Sequence, residues 1–112
     1  MRTAFASEAA HIHEIAGVSA TTIGVATGAD PSTVRSWIAG KSSPSGRRAE
    51  RLAELSAVVE RLVLVMRADY VPVWLVKPIP ALDDEKPVKV IADGRYRDVS
   101  KVIASLESPG AA

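Results

Sequence analysis

Residues 28–40 of this 112-residue chain read GADPSTVRSWIAG, and their order decides how the rest is parsed. Gly28 offers the left-handed backbone that ends a helix. Asp30 brings an N-cap oxygen, and Pro31 the fixed φ suited to a first helical position. Val34, Trp37 and Ile38 stand at i, i+3 and i+4, so one face is apolar while Ser32, Thr33, Arg35 and Ser36 point outward. Gly40 stops this helix. Toward the N-terminus, Thr21 to Thr27 reads as a short helix closed by Gly28. Residues 1–18 read as a first helix with a weak apolar face of Ala6, Ala9, Ala10, Ile12, Ile15 and Ala16.

Toward the C-terminus, KSSPSG at 41–46 has the composition of a linker. Arg47 to Met66 then carries the strongest helical pattern. Leu52, Leu55, Val59, Leu62 and Met66 recur at spacings of 3 and 4, a seam that suits either a core or a partner helix. Val58, Val63 and Val65 add apolar area beyond the seam, which argues for burial on two sides, such as core plus dimer. Residues 67–112 support two readings. Tyr70–Val76 and Val88–Ile91 are rich in β-formers, and Asp93–Gly94 suits a tight turn, so KPVKVIADGRYRDV could pair as a hairpin. Against this, Val99, Val102, Ile103 and Leu106 recur at helical spacing, and Pro87 could open a short helix that Gly94 closes. Pattern alone favours the helix and leaves the hairpin open.

Composition excludes several classes. The chain is 47% hydrophobic and 24% charged, with 14 Lys+Arg against 13 Asp+Glu, so no strong global field draws it to nucleic acid or membrane. Without cysteine there is no disulfide, thiolate zinc site or thiol catalysis. The longest apolar stretch, near Val58 to Met66, is interrupted by Glu60 and Arg61. It falls far short of the roughly 20 residues needed to span a bilayer. No signal core appears near the N-terminus, and the expectation is a soluble, cytoplasmic protein with no membrane partner.

Helix, glycine turn and capped helix at 21–40 form the arrangement that lays a second helix in the DNA major groove. Residues 30–51 hold Arg35, Lys41, Arg47, Arg48 and Arg51 against Asp30 and Glu50, five cations to two anions. Such a surplus suits phosphate contacts. Base readout is thinner: the chain has no Asn or Gln, and Arg35 is the long donor on the exposed face. The DNA-contact candidates are Ser32, Thr33, Arg35, Ser36, Lys41, Arg47 and Arg48. Catalysis and metal binding find no support. His11 and His13 would point about 200° apart on a helix. Asp83-Asp84-Glu85 reads as solvated loop charge, and no phosphate loop, nucleophile elbow or metalloprotease motif occurs.

Two resemblances sharpen this. Pro31-Ser32-Thr33-Val34, Trp37 and Gly40 are similar to Xre/Cro-type helix-turn-helix proteins, with a departure at Gly24, where that family prefers a better helix former. Trp74, then Pro78, Pro80 and Leu82, Pro87, Ile91, Gly94, Val99 and Ile103 resemble the Xre/MbcA/ParS toxin-binding family, most closely its MbcA branch. The combined resemblance covers about residues 18–108. Asp83-Asp84 departs from it, since many relatives carry glycines there. The resemblance implies an all-α fold, with an Xre-like helix-turn-helix domain at 1–46 and a helical dimerisation and toxin-binding domain at 47–112. It selects the helical reading of the C-terminal half.

It also implies an antitoxin, not an enzyme, which neutralises a RES-domain toxin that degrades NAD⁺. The antitoxin would occlude that toxin's active site and repress its own operon. The chain itself would need no cofactor, NAD⁺ belonging to the toxin. A homodimer inside a larger toxin–antitoxin assembly is expected. Toxin-contact candidates are Lys86, Lys89, Arg95, Tyr96, Arg97, Leu106, Glu107 and Ser108. Here Glu107 is expected to pair with a pocket arginine as a phosphate mimic, from a thin tail of residues 107–112. The rival is a stand-alone helix-turn-helix regulator whose C-terminal half only dimerises or senses a ligand.

Overall fold

The structure, a computed structural model, describes residues 7–108. Its α-helices are α1 (Glu8–Ala16), α2 (Ala20–Thr27), α3 (Pro31–Ile38), α4 (Gly46–Leu62), α5 (Val71–Leu75), α6 (Pro87–Ala92) and α7 (Tyr96–Glu107). Single 3-10 turns occupy Ala68–Tyr70 and Pro80–Leu82, and no strand forms among the described residues. The fold is all-α. The first helix is shorter than its expected span of 1–18, and residues 1–6, with Ala6, lie outside the described residues.

Local chemistry sets most boundaries. Gly17 ends α1 at φ 69°, its amide donating to His13 O at 2.9 Å. Ser19 caps α2, its hydroxyl accepting from the Thr22 amide at 3.1 Å, and Gly28 closes it at φ 79°. Asp30 caps α3 through the Thr33 amide at 2.9 Å, with Pro31 in the first turn. In the C-terminal half the hairpin reading fails. Residues 87–92 are helical, and Gly94, at φ 82°, donates to Ile91 O while Arg95 N–H returns to Val90 O. Asp-Gly serves a hairpin turn and a helix terminus equally, because both need a left-handed residue. Burial of Val88, Val90, Ile91, Val99 and Ile103 decides for helices. The β-rich run 70–76 likewise becomes a 3-10 turn and α5, which buries Val71, Trp74 and Leu75.

One apolar core runs through the described residues, and α4 is its axis. α1 and α2 pack on α4 from one end of the chain, α6 and α7 from the other, and α2 also meets α6. This explains the apolar excess on α4. Leu52, Leu55, Val58, Val59 and Leu62 are at most 2% exposed, and Met66 lies half-buried beyond the helix. The expected second side of burial is supplied by this chain's own helices, so the leucines of the seam cannot meet a partner helix. The boundary expected at residue 46 coincides with the first residue of α4, whose flanks serve helices on both sides.

Candidate functional site

Two surfaces carry the functional candidates. The first is the outer side of α3 with the start of α4. Arg35, Lys41 and Arg47 are exposed, without an ionic partner among the described residues. Arg48 is exposed too, and its Nη2 donates to Gly28 O at 3.3 Å, bracing the turn between α2 and α3. Ser32 donates to Asp30 Oδ1 at 2.8 Å, and Ser36 shares a 2.8 Å hydrogen bond with Ser42. These hydroxyls are therefore committed to the turn and to the loop after α3. The Thr33 amide foremost, then the Ser32 hydroxyl, holds the Asp30 carboxyl below its ordinary pKa.

Arg51, counted in the basic surplus, is turned inward. It pairs with Glu54 at 3.1 Å and lies under Gly94, where an added β-carbon would meet its Nη2 at 3.0 Å. It leaves the patch and braces the turn between α6 and α7.

The second surface is formed by the 3-10 turn Pro80–Leu82 and α7. Asp83 and Asp84 follow the turn at φ 57° and 64°, the left-handed region that glycine enters at least cost. That accounts for the glycines expected of relatives here. Asp84 N–H donates back to Ile79 O at 3.0 Å, and an antiparallel bridge between Ile79 and Glu85 closes the loop. Between turn and helix lies a groove of about 480 Å³ with Leu82, Val102 and Leu106 in its lining. Arg95 stands at one end, bonded to Glu85 at 3.0 Å and to Asp98 at 3.2 Å. The Glu85 hydrogen bond, then that of Asp98, raises the Arg95 pKa further.

Of the eight toxin-contact candidates, the groove gathers Arg95 and Leu106. Lys86 is exposed just before α6 and Lys89 on it, and Arg97 is exposed and Tyr96 half-buried at the start of α7. Glu107 and Ser108 lie at the other end of α7, about 16 Å of helix away.

Glu107 differs from expectation. Arg61, from the last turn of α4, donates Nε to Glu107 Oε2 at 2.9 Å and Nη2 to Oε1 at 2.7 Å. The same guanidinium reaches Ser100 Oγ at 2.7 Å and Ser100 O at 3.4 Å. The Arg61 hydrogen bond is the largest cause lowering the Glu107 pKa, and its counterpart raises that of Arg61. Within this chain the carboxylate thus has its arginine already, and it fastens α7 to α4. Residues 109–112 of the expected tail lie outside the described residues.

Sequence reasoning did not single out Arg61, Lys101 or Val102 for these surfaces, and it read Asp83 as solvated loop charge, which its exposure matches. The signal for Arg61 was present: it interrupts the most apolar stretch of the chain, and a charge there needs a built partner. The histidines are engaged within the chain, His11 donating to Glu60 on α4 at 2.7 Å and His13 to Val18 O at 2.9 Å.

No family model matches the chain. It is 31% identical over 90 residues to the mycobacterial cidal antitoxin MbcA of Mycobacterium bovis, 80% of each chain being covered. The MbcA of Mycobacterium tuberculosis matches with the same figures. The chain belongs to the MbcA antitoxin family. A solved chain from the crystal structure of the M. tuberculosis MbcT–MbcA toxin–antitoxin complex superposes with a TM-score of 0.85. Identity to that chain is 28%, over 99% of this chain and 100% of that one. The all-α architecture of this MbcA-family chain is thus shared almost end to end. No helix among the described residues is long and apolar enough to cross a membrane.

Proposed function

We propose that this MbcA-family chain binds a RES-domain toxin that consumes NAD⁺ and neutralises it by covering the toxin's active site. One observation carries the reading: the fold matches, over nearly its whole length, a chain of a toxin–antitoxin complex. The chemistry of the chain supports a binder. At one end of its groove Arg95 is held by Glu85 and Asp98, and His11 and His13 are both engaged in hydrogen bonds within the chain. NAD⁺ would be handled by the partner, and this chain needs no cofactor for occlusion. Co-expression with the product of the adjacent gene, affinity capture and measurement of cellular NAD⁺ test the proposal. A co-purifying complex and preserved NAD⁺ are expected. Separate elution with unchanged NAD⁺ loss would end the reading.

A second role, repression of its own operon, is favoured by the exposed cations Arg35, Lys41, Arg47 and Arg48 beside the capped α3. One such module binds weakly, so the reading includes a homodimer within the larger toxin–antitoxin assembly. Its contact surface must lie outside the buried faces of α4. The rival regulator without a toxin predicts operator binding alone, and the same capture experiment separates the two.

A further inference from the structure

We propose that the groove between the Pro80–Leu82 turn and α7 is the grip on the toxin. It takes one apolar side chain from a toxin segment that carries a cation on one flank and an anion on the other. This rests on the antitoxin reading above.

The floor is apolar: Leu82 is buried beneath it, Val102 is half-buried and Leu106 is 39% exposed. A large aliphatic group left that open at the edge of a concave surface gains by being covered. The walls then select what covers it. Asp83 on the turn and Lys101 on α7 both line the groove, and neither has an ionic or hydrogen-bonding side-chain partner among the described residues. The other charges there are satisfied within the chain, Arg95 holding both Glu85 and Asp98. A small anion would meet Asp83, and a small cation Lys101, so neither alone is accommodated. A polypeptide segment with charges of both signs answers each wall, and its register is set by which charge faces which.

The groove is also rigid before binding. Two consecutive left-handed residues fix the turn, and the Arg61 clamp on Ser100 and Glu107 fixes α7 from behind. Little ordering remains to oppose association.

Ser105, exposed on α7 at the groove, allows the space to be filled without touching the core. The chain with Ser105→Trp, Lys101→Glu or Asp83→Lys would be titrated against the purified toxin that the unaltered chain captures. Melting temperature and light-scattering mass of each variant alone would be recorded. We expect Ser105→Trp to weaken binding at least about tenfold. The two charge reversals should each weaken it several-fold and reduce its salt dependence, with melting temperatures unchanged. Variants that bind as tightly as the unaltered chain would overturn the groove and leave the antitoxin reading standing. So would a Ser105→Trp chain whose own mass changes while toxin affinity does not, since the groove would then house a second copy. If the unaltered chain captures no toxin, the antitoxin reading fails and the groove falls with it.

Discussion

A β-carbon placed on Gly24 would stand 2.5 Å from the carbonyl oxygen of Ala29, a distance no real side chain tolerates. The turn between α2 and α3 folds so closely over α2 that the amides of Gly28 and Ala29 both donate to Gly24 O, at 2.8 and 3.2 Å. Propensity alone makes this glycine a weakness, and the sequence reading treats it as one. The structure shows a requirement of packing instead. Gly24→Ala should therefore lower stability, by about 1–3 kcal/mol in chemical denaturation, although alanine is the better helix former by about 1 kcal/mol. A more stable variant would show that the turn can move aside. Caps were legible at this scale because Asp30-Pro31 and Gly28 act on their immediate neighbours. Close approach was not, because Ala29 comes over Gly24 only once the turn has formed.

α4 and α7 are where elements meet. The heptad-like spacing on α4 identified the right residues without saying what covers them, since a core and a coiled-coil seam demand the same periodicity. Leu55→Asp is expected to abolish cooperative unfolding instead of halving the apparent mass, because a carboxylate at a fully buried position has no partner. A folded monomer from that substitution would return the seam to a dimer interface.

At the end of α7, Arg61 depresses the Glu107 pKa below its unfolded value. The stabilisation is therefore present above the unfolded pKa, near 4.3. It is lost as pH falls through the lower folded value. Glu107→Gln should lower the melting temperature at pH 7, and the gap between the two proteins should close on acidification below about pH 4. A gap that persists at low pH would mean the ion pair contributes nothing. No local pattern announces this pair, because 46 residues separate its members.

Across the whole molecule, the cations that are candidates for DNA contact lie on α3, in the loop after it and at the start of α4, whereas the groove is built from the Pro80–Leu82 turn and α7. Substitutions on the two surfaces should then separate by readout. On the repressor reading, Arg35→Ala weakens operator binding and lowers the slope of log affinity against log salt by about one, with toxin inhibition intact. An unchanged salt slope would remove α3 from the DNA interface. Yet the two surfaces share one support. Arg51 near the start of α4 lies under Gly94, Arg61 near its end holds α7, and the apolar faces between them serve α1, α2, α6 and α7. A protease that cuts inside α4 would strip the floor from both ends at once, leaving neither fragment a core to close. On the antitoxin and repressor readings, turnover would then act as a single event, ending toxin binding and repression together, with no half-active remnant to be cleared.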